Sequence, residues 1–354
     1  MPGSPPRVRG DRFRGSCQLI DVLTTAASVA EERAGPVSSW HMAADDRNTQ
    51  SAEAGGHGGG HPRVGFVGVL GQTNVGKSTF LNAVLGEKLL ITSPKPQTTR
   101  NRIRCVLTTD TSQIVFLDTP GLHRPANRLG RHILREAYRS LRGLNVLLYM
   151  VEPWGGVHEV DREALERIEE FDGPIILLVN KTDIAKRNAL EETLLAYEAT
   201  GRFAELIPIS AVQGDGLLDT IETIGRYLPE GEPLFSADVK FDSGEEFLIS
   251  ELIREKAIRL TYRELPYSIA VRVKWFRERD DGLIEIKSEL IVERESQKGI
   301  LVGKGGRMIR EIGTRARRDI ERLLGARVFL ELIVKVVPNW TQSEVGIRQL
   351  TDSQ

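Results

Sequence analysis

A glycine loop, GQTNVGKST, occupies residues 71–79 and carries a lysine and a serine directly after its last glycine. The spacing is G-x-x-x-x-G-K-S, and the loop lies between an apolar run at 63–70 and a helical pattern that starts near Ser78. In such a loop the backbone N–H groups turn towards phosphate oxygens, and the helix N-terminus adds a favourable dipole. We therefore predict that Lys77 neutralises the β- and γ-phosphates of a nucleotide and that Ser78 holds Mg²⁺. The predicted phosphate-binding residues are Gly71, Gln72, Thr73, Asn74, Val75, Gly76, Lys77, Ser78 and Thr79.

The base is indicated by NKTD at 180–183, which follows the apolar run PIILLVN. Loops at the ends of such strands bind ligands in α/β sheets. An aspartate there can accept hydrogen bonds from N1–H and the 2-amino group of guanine, whereas adenine would leave a buried carboxylate without donors. We therefore expect guanine, with backbone contacts from the Ser-Ala pair at 210–211. The predicted base-binding residues are Asn180, Lys181, Thr182, Asp183, Ser210 and Ala211.

Two further segments predict a switch that responds to the γ-phosphate. Asp118 ends the strand pattern QIVFLD and can orient Mg²⁺ through water, while the N–H of Gly121 can sense the γ-phosphate. The polar segment ITSPKPQTTRNR (91–102) is typical of a mobile switch, and either Thr98 or Thr99 gives its hydroxyl to Mg²⁺; the sequence does not decide between them. Loss of the γ-phosphate would release both segments. The second segment comprises Asp118, Thr119, Pro120 and Gly121.

The residue after Gly121 is Leu122. In Ras-type enzymes a glutamine at this position orients the attacking water. Leucine cannot do so, and hydrolysis therefore draws on another group or is slow.

A second lysine-bearing glycine segment, GKGG at 303–306, differs from the first. No hydroxyl follows Lys304, and a helical stretch, 295–302, stands where a strand should precede a nucleotide loop. The G-x-x-G form instead clamps about four single-stranded nucleotides in KH domains. Residues 298–327 hold nine cations and three carboxylates, which favours RNA over an ordinary solvated helix face. The predicted RNA-binding residues are Gly303, Lys304, Gly305, Gly306, Arg307 and Arg310.

Length and composition limit the class of protein and the number of domains. A chain of 354 residues with 27% charged residues, 40% hydrophobic residues and net charge −1 is typical of a soluble protein with two or three domains. Cys17 and Cys105 form neither a disulfide framework nor a metal-binding spacing, which favours a reducing, cytoplasmic compartment. No uncharged apolar run approaches the ~18 residues of a membrane-spanning helix. At the N-terminus, a targeting segment, a disordered tail and a mis-assigned start with Met42 as initiator all remain open.

Strand and helix patterns alternate from residue 62 and predict an α/β fold with a mostly parallel sheet. A stretch rich in Pro, Gly and charge near 228–246 then marks an interdomain linker. After it, a helix, two antiparallel strands, two helices and a strand predict a small α+β domain.

Together the motifs GQTNVGKST, PQTTR, DTPG and NKTD resemble GTPases of the TrmE–Era group. IREK (253–256), ELPYS (264–268) and GKGG extend the resemblance to the Era family, from about Arg63 to Trp340. It implies a P-loop GTPase domain followed by a type II KH RNA-binding domain. Two features depart from the family pattern, namely Gln72-Thr73 in place of Arg-Pro and the 61-residue extension. The implied divisions are a tail or mis-assigned start with a Gly/His linker at 1–61, the GTPase domain at 62–229, a linker at 230–245, the KH domain at 246–340 and a C-terminal tail at 341–354.

The resemblance implies a switch that binds GTP and GDP with Mg²⁺ and hydrolyses GTP. It further implies K⁺ as a catalytic ion held partly by Asn74, the 3′ end of 16S ribosomal RNA as ligand and assembly of the 30S subunit as role. A monomer with peripheral contact to the inner face of the cell membrane is also expected. The residues expected to act in catalysis are Lys77, Asn74, Thr98, Thr99 and Gly121, and those expected to hold Mg²⁺ are Ser78, Thr98, Thr99 and Asp118.

Two alternatives stay open. One is a signalling GTPase whose second domain binds protein or the membrane surface, and the other is an RNA-binding module with a vestigial nucleotide pocket.

Overall fold

The computed structural model describes residues 61–93, 95, 98–100, 103–123, 125, 127–262 and 265–351. These residues belong to one compact unit, Gly58–Gln354. The predictions for residues 1–60, including the tail, the targeting segment and most of the Gly/His linker, lie outside the described residues.

A six-stranded sheet forms the first half of the described chain. Its strand order is β2-β3-β1-β4-β5-β6; β2 is antiparallel to β3, and every other neighbouring pair is parallel. The strands are near-continuous apolar runs, as expected for a sheet covered on both faces. The predicted mostly parallel sheet is confirmed. The strands are β1 (Arg63–Gly71), β2 (Ile103–Thr108), β3 (Ser112–Asp118), β4 (Val146–Val151), β5 (Ile175–Val179) and β6 (Glu205–Pro208).

Helices connect these strands and cover the sheet. The helix Glu159–Arg167 ends at Arg167, and Phe171 N–H bonds to the Ile168 carbonyl in the turn that follows. The helix Arg128–Arg139 begins where the Asn127 side chain accepts a hydrogen bond from Gly130 N at 2.8 Å. The helices are α1 (Lys77–Leu85), α2 (Arg128–Arg139), α3 (Glu159–Arg167), α4 (Arg187–Glu198) and α5 (Leu217–Tyr227).

The second half contains a three-stranded sheet, in which β8 is antiparallel to β7 and parallel to β9. Its core includes Ile312, Ala316 and Ile320, whose spacing of four residues places them on one face of a helix. The elements are α6 (Glu245–Leu260), β7 (Ala270–Glu278), β8 (Ile284–Val292), α7 (Glu295–Val302), α8 (Arg307–Leu324) and β9 (Val328–Val336).

The stretch at 230–245 is held along the edge strand β2. Val106 N–H bonds to the Lys240 carbonyl at 3.0 Å, and Asp242 N–H bonds to the Arg104 carbonyl at 3.2 Å. These bonds satisfy backbone groups that an edge strand would otherwise present to solvent.

The predicted C-terminal tail contains a helix, α9 (Glu344–Thr351). Its Ile347 belongs to one buried apolar cluster with Trp340 and with Leu129 and Ile133 of α2. The helix that follows the DTPG segment therefore contacts the end of the chain. Among the described residues no helix combines the length and apolar character needed to cross a membrane.

Candidate functional site

The phosphate loop joins β1 to α1 through residues 71–76. Its backbone enters the left-handed region at Asn74 and Gly76, with φ of 68° and 107°. A Cβ at Gly76 would lie 2.2 Å from Nδ2 of Asn180, which leaves room only for glycine. The loop is therefore shaped by its own backbone and by the NKTD segment.

Lys77 is buried at the start of α1 and folds back over its own loop. Its Nζ donates to the carbonyls of Gly71 at 2.9 Å and Gln72 at 2.8 Å. Burial lowers the pKa of Lys77 to about 8, although the nearby Asp118 carboxylate acts in the opposite direction. Phosphate oxygens would offer this cation a stronger, charged partner than two carbonyls.

Ser78, Thr99 and Asp118 converge on one point beside Lys77. Ser78 Oγ lies 3.1 Å from Thr99 Oγ1, and each hydroxyl lies 3.3 Å from Asp118 Oδ2. Asp118 Oδ1 is buried with no hydrogen-bond partner among the described residues, and burial raises the pKa of this carboxyl to about 6. Two hydroxyls and an unpartnered carboxylate oxygen match the oxygen ligands that Mg²⁺ prefers. The donor set therefore fits Mg²⁺.

Thr98 faces away from this cluster. Its Oγ1 donates to the carbonyl of Lys95 at 2.7 Å, and its own carbonyl accepts a hydrogen bond from Arg254. The geometry thus separates two threonines that the sequence leaves equivalent.

The NKTD segment links the loops of three strands. Asn180 Nδ2 donates to the Val75 carbonyl at 2.7 Å, and Asn180 Oδ1 accepts from Ala211 N at 3.0 Å. Thr182 N–H bonds to the Ile209 carbonyl at 3.2 Å. This places the predicted base-binding loops side by side.

The carboxylate of Asp183 is held at the same edge by Ser210, whose Oγ donates to Asp183 Oδ1 at 2.7 Å. Lys181 has a left-handed backbone, with φ of 70°, and forms an ion pair with Glu152. The Asp183 carboxylate is therefore oriented by a hydroxyl donor.

The DTPG segment packs directly against the phosphate loop. Thr119 Oγ1 donates to the Val69 carbonyl at 2.6 Å, and Pro120 beside it is buried. Leu122 N–H bonds to the Gly71 carbonyl at 2.9 Å, while Thr73 N–H bonds to the Leu122 carbonyl at 3.2 Å. A change in this segment is therefore transmitted to the phosphate loop through backbone hydrogen bonds.

A cavity of about 400 Å³, here called the nucleotide cavity, opens over the phosphate loop. One lining residue, Arg259, comes from α6 and was not predicted. Its Nη2 donates to the carbonyl of Thr92, another lining residue, at 2.6 Å. The sequence contains no signal for this contact, because 167 positions separate the two residues. The predicted residues in the lining are Thr73, Asn74, Gly76, Lys77, Ser78, Thr79, Thr98, Thr99, Gly121 and Lys181.

Two further residues of the switch segment bond to the second half of the chain, one to α6 and one to the residue that precedes β7. Thr92 N–H bonds to Oε1 of the fully buried Glu255 at 3.2 Å, and Arg100 Nη1 donates to the Ile269 carbonyl at 2.7 Å. Burial, together with the nearby Arg254 guanidinium, lowers the pKa of Arg100 to about 9. The segment that touches the nucleotide cavity is thus held by the second half of the chain.

The GKGG segment joins α7 to α8, and all three of its glycines have positive φ, between 60° and 74°. Lys304 and Arg307 are exposed. Arg310 curls back, with Nε donating to the Gly306 carbonyl at 3.2 Å and Nη2 to the Gly305 carbonyl. The structure therefore brings the six predicted RNA-binding residues together on one exposed turn.

Two protein families match parts of the chain. Residues 66–181 match the 50S ribosome-binding GTPase family, and residues 264–341 match the KH domain family. Among curated proteins, the GTPase Era of Geotalea uraniireducens (strain Rf4) is 45% identical over 281 residues, covering 79% of this chain and 95% of that protein. The GTPase Era of Caldanaerobacter subterraneus subsp. tengcongensis is 42% identical over 289 residues, covering 81% and 97% respectively.

Two solved structures resemble the whole described fold. One is Era in complex with MgGDPNP and nucleotides 1506–1542 of 16S ribosomal RNA, with a TM-score of 0.78, 41% identity and coverage of 82% of this chain and 99% of that one. The other is a single-residue variant of Aquifex aeolicus Era bound to GDP·AlF₄⁻, with a TM-score of 0.78, 40% identity and coverage of 81% and 98%.

Proposed function

The chain belongs to the Era family of GTPases, and from that membership we propose that it binds the 3′ end of 16S ribosomal RNA in the assembly of the 30S subunit. It is a GTP-binding and GTP-hydrolysing protein with a KH RNA-binding domain. One observation carries the proposed switch. Thr99 of the segment 92–100 lines the nucleotide cavity, and Thr92 N–H bonds to Glu255 of α6. Arg100 of the same segment donates to the Ile269 carbonyl, just before β7.

We propose the same domain boundaries as the sequence predicts: a GTPase domain at 62–229, a linker at 230–245 and a KH domain at 246–340. The tail at 341–354 then includes α9, whose Ile347 packs against α2 of the GTPase domain. Nucleotide state reaches the KH domain along two routes, one through the switch segment and one through α2.

In the proposed nucleotide site, the backbone N–H groups of 71–79 and the Lys77 ammonium bind the phosphates. Asp183 accepts hydrogen bonds from guanine, and the hydrogen bond from Ser210 fixes its orientation. A carboxylate so placed discriminates against adenine, which would leave it unpaired.

Mg²⁺ fits the cluster described above, and we assign Ser78, Thr99 and Asp118 to it, with Thr98 excluded by its hydrogen bond to the Lys95 carbonyl. When bound there, Mg²⁺ would supply positive charge that neutralises the charge developing during phosphoryl transfer. Asp118 supplies a buried carboxylate oxygen, Oδ1, to which no other described group donates a hydrogen bond. The N–H of Gly121, the last residue of the DTPG segment, then senses the γ-phosphate.

K⁺ is the proposed additional catalytic group, because Leu122 cannot orient the attacking water. Asn74 lies in the lining of the nucleotide cavity, and its amide carries an oxygen of the kind that alkali ions bind. The proposal is tested by measuring hydrolysis in K⁺ and in Na⁺ for the native chain and Asn74→Ala. Equal rates in the two salts, unchanged by the substitution, would remove K⁺ from the mechanism.

The GKGG turn is the proposed RNA clamp. Its exposed Lys304 and Arg307 face solvent, and the small glycines let a sugar–phosphate backbone come close. By family membership we also propose a monomer in the cytoplasm with peripheral contact to the membrane.

Crosslinking of the purified full chain to total RNA, in GTP and in GDP, tests the RNA assignment. The expected result is enrichment of the 16S 3′ end in the GTP state. A signalling GTPase that uses its second domain to bind protein would show no RNA enrichment, and its partner would not dissociate steeply as salt rises. GTP hydrolysis in a turnover assay would exclude the alternative of an RNA-binding module with a vestigial nucleotide pocket.

A further inference from the structure

A second, smaller cavity of about 200 Å³ lies between α6 and α8, away from the GKGG turn. Five of its lining residues are cationic, namely Lys256, Arg259, Arg315, Arg318 and Arg322, and one, Asp319, is a carboxylate. In a chain whose net charge is −1 this concentration of positive charge is unusual. We propose that this cavity, here called the basic cavity, binds phosphate groups of the RNA beyond the nucleotides held by GKGG.

Helix geometry explains how the charges meet. Residues 315, 318, 319 and 322 of α8 are spaced by three and four positions and therefore share one face of the helix. Lys256 and Arg259 share a face of α6 in the same way. The two basic faces border one cavity, which is a place where a planar guanidinium fork can bind phosphate oxygens bidentately.

Most of the cations are already balanced by neighbouring carboxylates, and one is not. Arg322 pairs with Asp319 at 2.9 Å, and Arg315 pairs with Glu311 at 2.6 Å. Within the described part of the chain, Arg318 forms no ion pair or hydrogen bond, although it lines the cavity and is exposed. Arg318 is therefore the cation most available to a new anion.

The position of the basic cavity suits RNA. Arg318 lies eleven residues along α8 from Arg307, a distance of about 16 Å at ~1.5 Å per residue. A strand that leaves a clamp for about four nucleotides can follow the basic face of α8 to this point. The proposal therefore rests on the proposed function of GKGG and extends the RNA path beyond it.

Arg259 connects the basic cavity to the nucleotide cavity, because it lines both. Its guanidinium also bonds to the Thr92 carbonyl at 2.6 Å and to Glu255 at 3.0 Å. A phosphate entering the basic cavity competes with Thr92 for this guanidinium. RNA that reaches the basic cavity thus acts directly on the switch segment.

The test compares Arg318→Gln with Arg317→Gln. Arg317 is the neighbouring arginine on α8, is similarly exposed and pairs weakly with Glu321 at 3.8 Å, but it does not line the cavity. Affinities of the full chain, loaded with a non-hydrolysable GTP analogue, are measured over a salt series for a tetranucleotide and a dodecanucleotide from the 3′ end of 16S rRNA. We expect Arg318→Gln to weaken binding of the dodecanucleotide several-fold. The magnitude of the slope of log K against log salt should fall by about 0.7. The tetranucleotide should be unaffected, and Arg317→Gln should change neither.

Equal effects of the two substitutions, or equal losses for the two RNAs, would overturn the proposal. A third variant, Lys304→Gln, should weaken the binding of both RNAs. If it weakens the binding of neither, the assignment of GKGG as the RNA clamp fails. This outcome is distinct from a failure of the Arg318 comparison. Calorimetric titration of the GDP-loaded chain with inorganic pyrophosphate tests whether a free anion, instead of RNA, is the ligand of the basic cavity. Loss of pyrophosphate binding in Arg318→Gln with unchanged dodecanucleotide affinity would overturn the RNA assignment.

Discussion

Asn180 holds the phosphate loop and the base-binding loops together, because its Nδ2 donates to the Val75 carbonyl at 2.7 Å while its Oδ1 accepts from Ala211 N at 3.0 Å. The side chain is buried. One amide thereby sets the distance between the phosphate loop and the loop at 210–211 that is predicted to contact the base.

The substitution Asn180→Asp tests this relationship. A carboxylate can still accept from Ala211 N, but it cannot donate to Val75 and instead faces a carbonyl oxygen. Because an unpaired buried group costs about 1–3 kcal/mol, GDP should bind roughly tenfold to a hundredfold more weakly in stopped-flow or equilibrium fluorescence titration. Asn127→Asp is the matched control, since aspartate serves equally well as the first cap of α2 and should leave GDP affinity unchanged. Unchanged affinity in Asn180→Asp would contradict the assigned role.

The two switch threonines should respond differently to removal of their hydroxyls. Thr99 Oγ1 lies 3.1 Å from Ser78 Oγ, whereas Thr98 Oγ1 bonds to the Lys95 carbonyl. Thr99→Val should therefore raise the Mg²⁺ concentration needed for hydrolysis and slow turnover by about tenfold or more, as expected for loss of a ligand to a charged group. Thr98→Val should leave the Mg²⁺ dependence unchanged. Mg²⁺ titrations of GTP turnover check both variants, and the reverse ranking would exchange the roles of the two residues.

These threonines also show where sequence reasoning stops. The strands of the first sheet are apolar runs, and the nucleotide motifs lie where those strands end, so both were predictable from composition and spacing. The choice between Thr98 and Thr99 depends on contacts with Lys95 and with Arg254 of α6, which lies 156 positions away from Thr98. Arg259 was missed for the same reason. Long-range contacts of charged side chains leave no local periodicity that a sequence pattern can reveal.

The packing of α9 was also missed, for a different physical reason. The helix has eight residues, and its single buried aliphatic side chain, Ile347, is too little to produce an amphipathic pattern. Its position depends instead on Leu129, Ile133 and Trp340, which belong to distant parts of the chain.

Asp161 is predicted to position the phosphate loop without touching the nucleotide. It is buried and accepts from Gln72 Nε2 at 2.7 Å, Tyr149 OH at 2.7 Å and Tyr197 OH at 2.9 Å. An asparagine there presents N–H groups to at least one donor, so Asp161→Asn should lower the free energy of unfolding by about 2 kcal/mol. Tyr197→Phe, which removes one of three donors, should cost about 1 kcal/mol.

A double-mutant cycle with Gln72→Met separates loop positioning from general packing. If the Gln72–Asp161 bond positions the loop, the two substitutions should be coupled by at least ~0.5 kcal/mol in urea unfolding, and GDP affinity should fall in each single variant. Additive effects on stability together with native GDP affinity would show that Asp161 serves packing alone.

Glu255 should make the junction between the switch segment and α6 sensitive to acid. Its side chain is fully buried. The carboxylate forms ion pairs with Lys88 Nζ at 3.0 Å, Lys256 Nζ at 2.7 Å and Arg259 Nη2 at 3.0 Å. Burial alone would raise the pKa of Glu255, but the hydrogen bonds from Lys256 and Lys88 outweigh it and hold the pKa below its usual value of about 4.5. A depressed folded-state pKa means that the stabilisation is complete above the unfolded-state pKa and is lost as pH falls through the folded-state pKa.

The matching experiment measures urea unfolding of the native chain and Glu255→Gln at pH 7 and at pH values below 4.5. At pH 7 the substitution leaves three neighbouring cations without their shared carboxylate and should cost about 3 kcal/mol. Below the usual glutamate pKa the difference between the two proteins should shrink, because the native carboxylate is then being protonated as well. Glu331→Gln, which removes an exposed carboxylate 3.0 Å from Lys287, is the control and should cost less than about 1 kcal/mol at either pH. A cost of Glu255→Gln that stays constant with pH would show that the pKa of Glu255 is the same in the folded and unfolded protein.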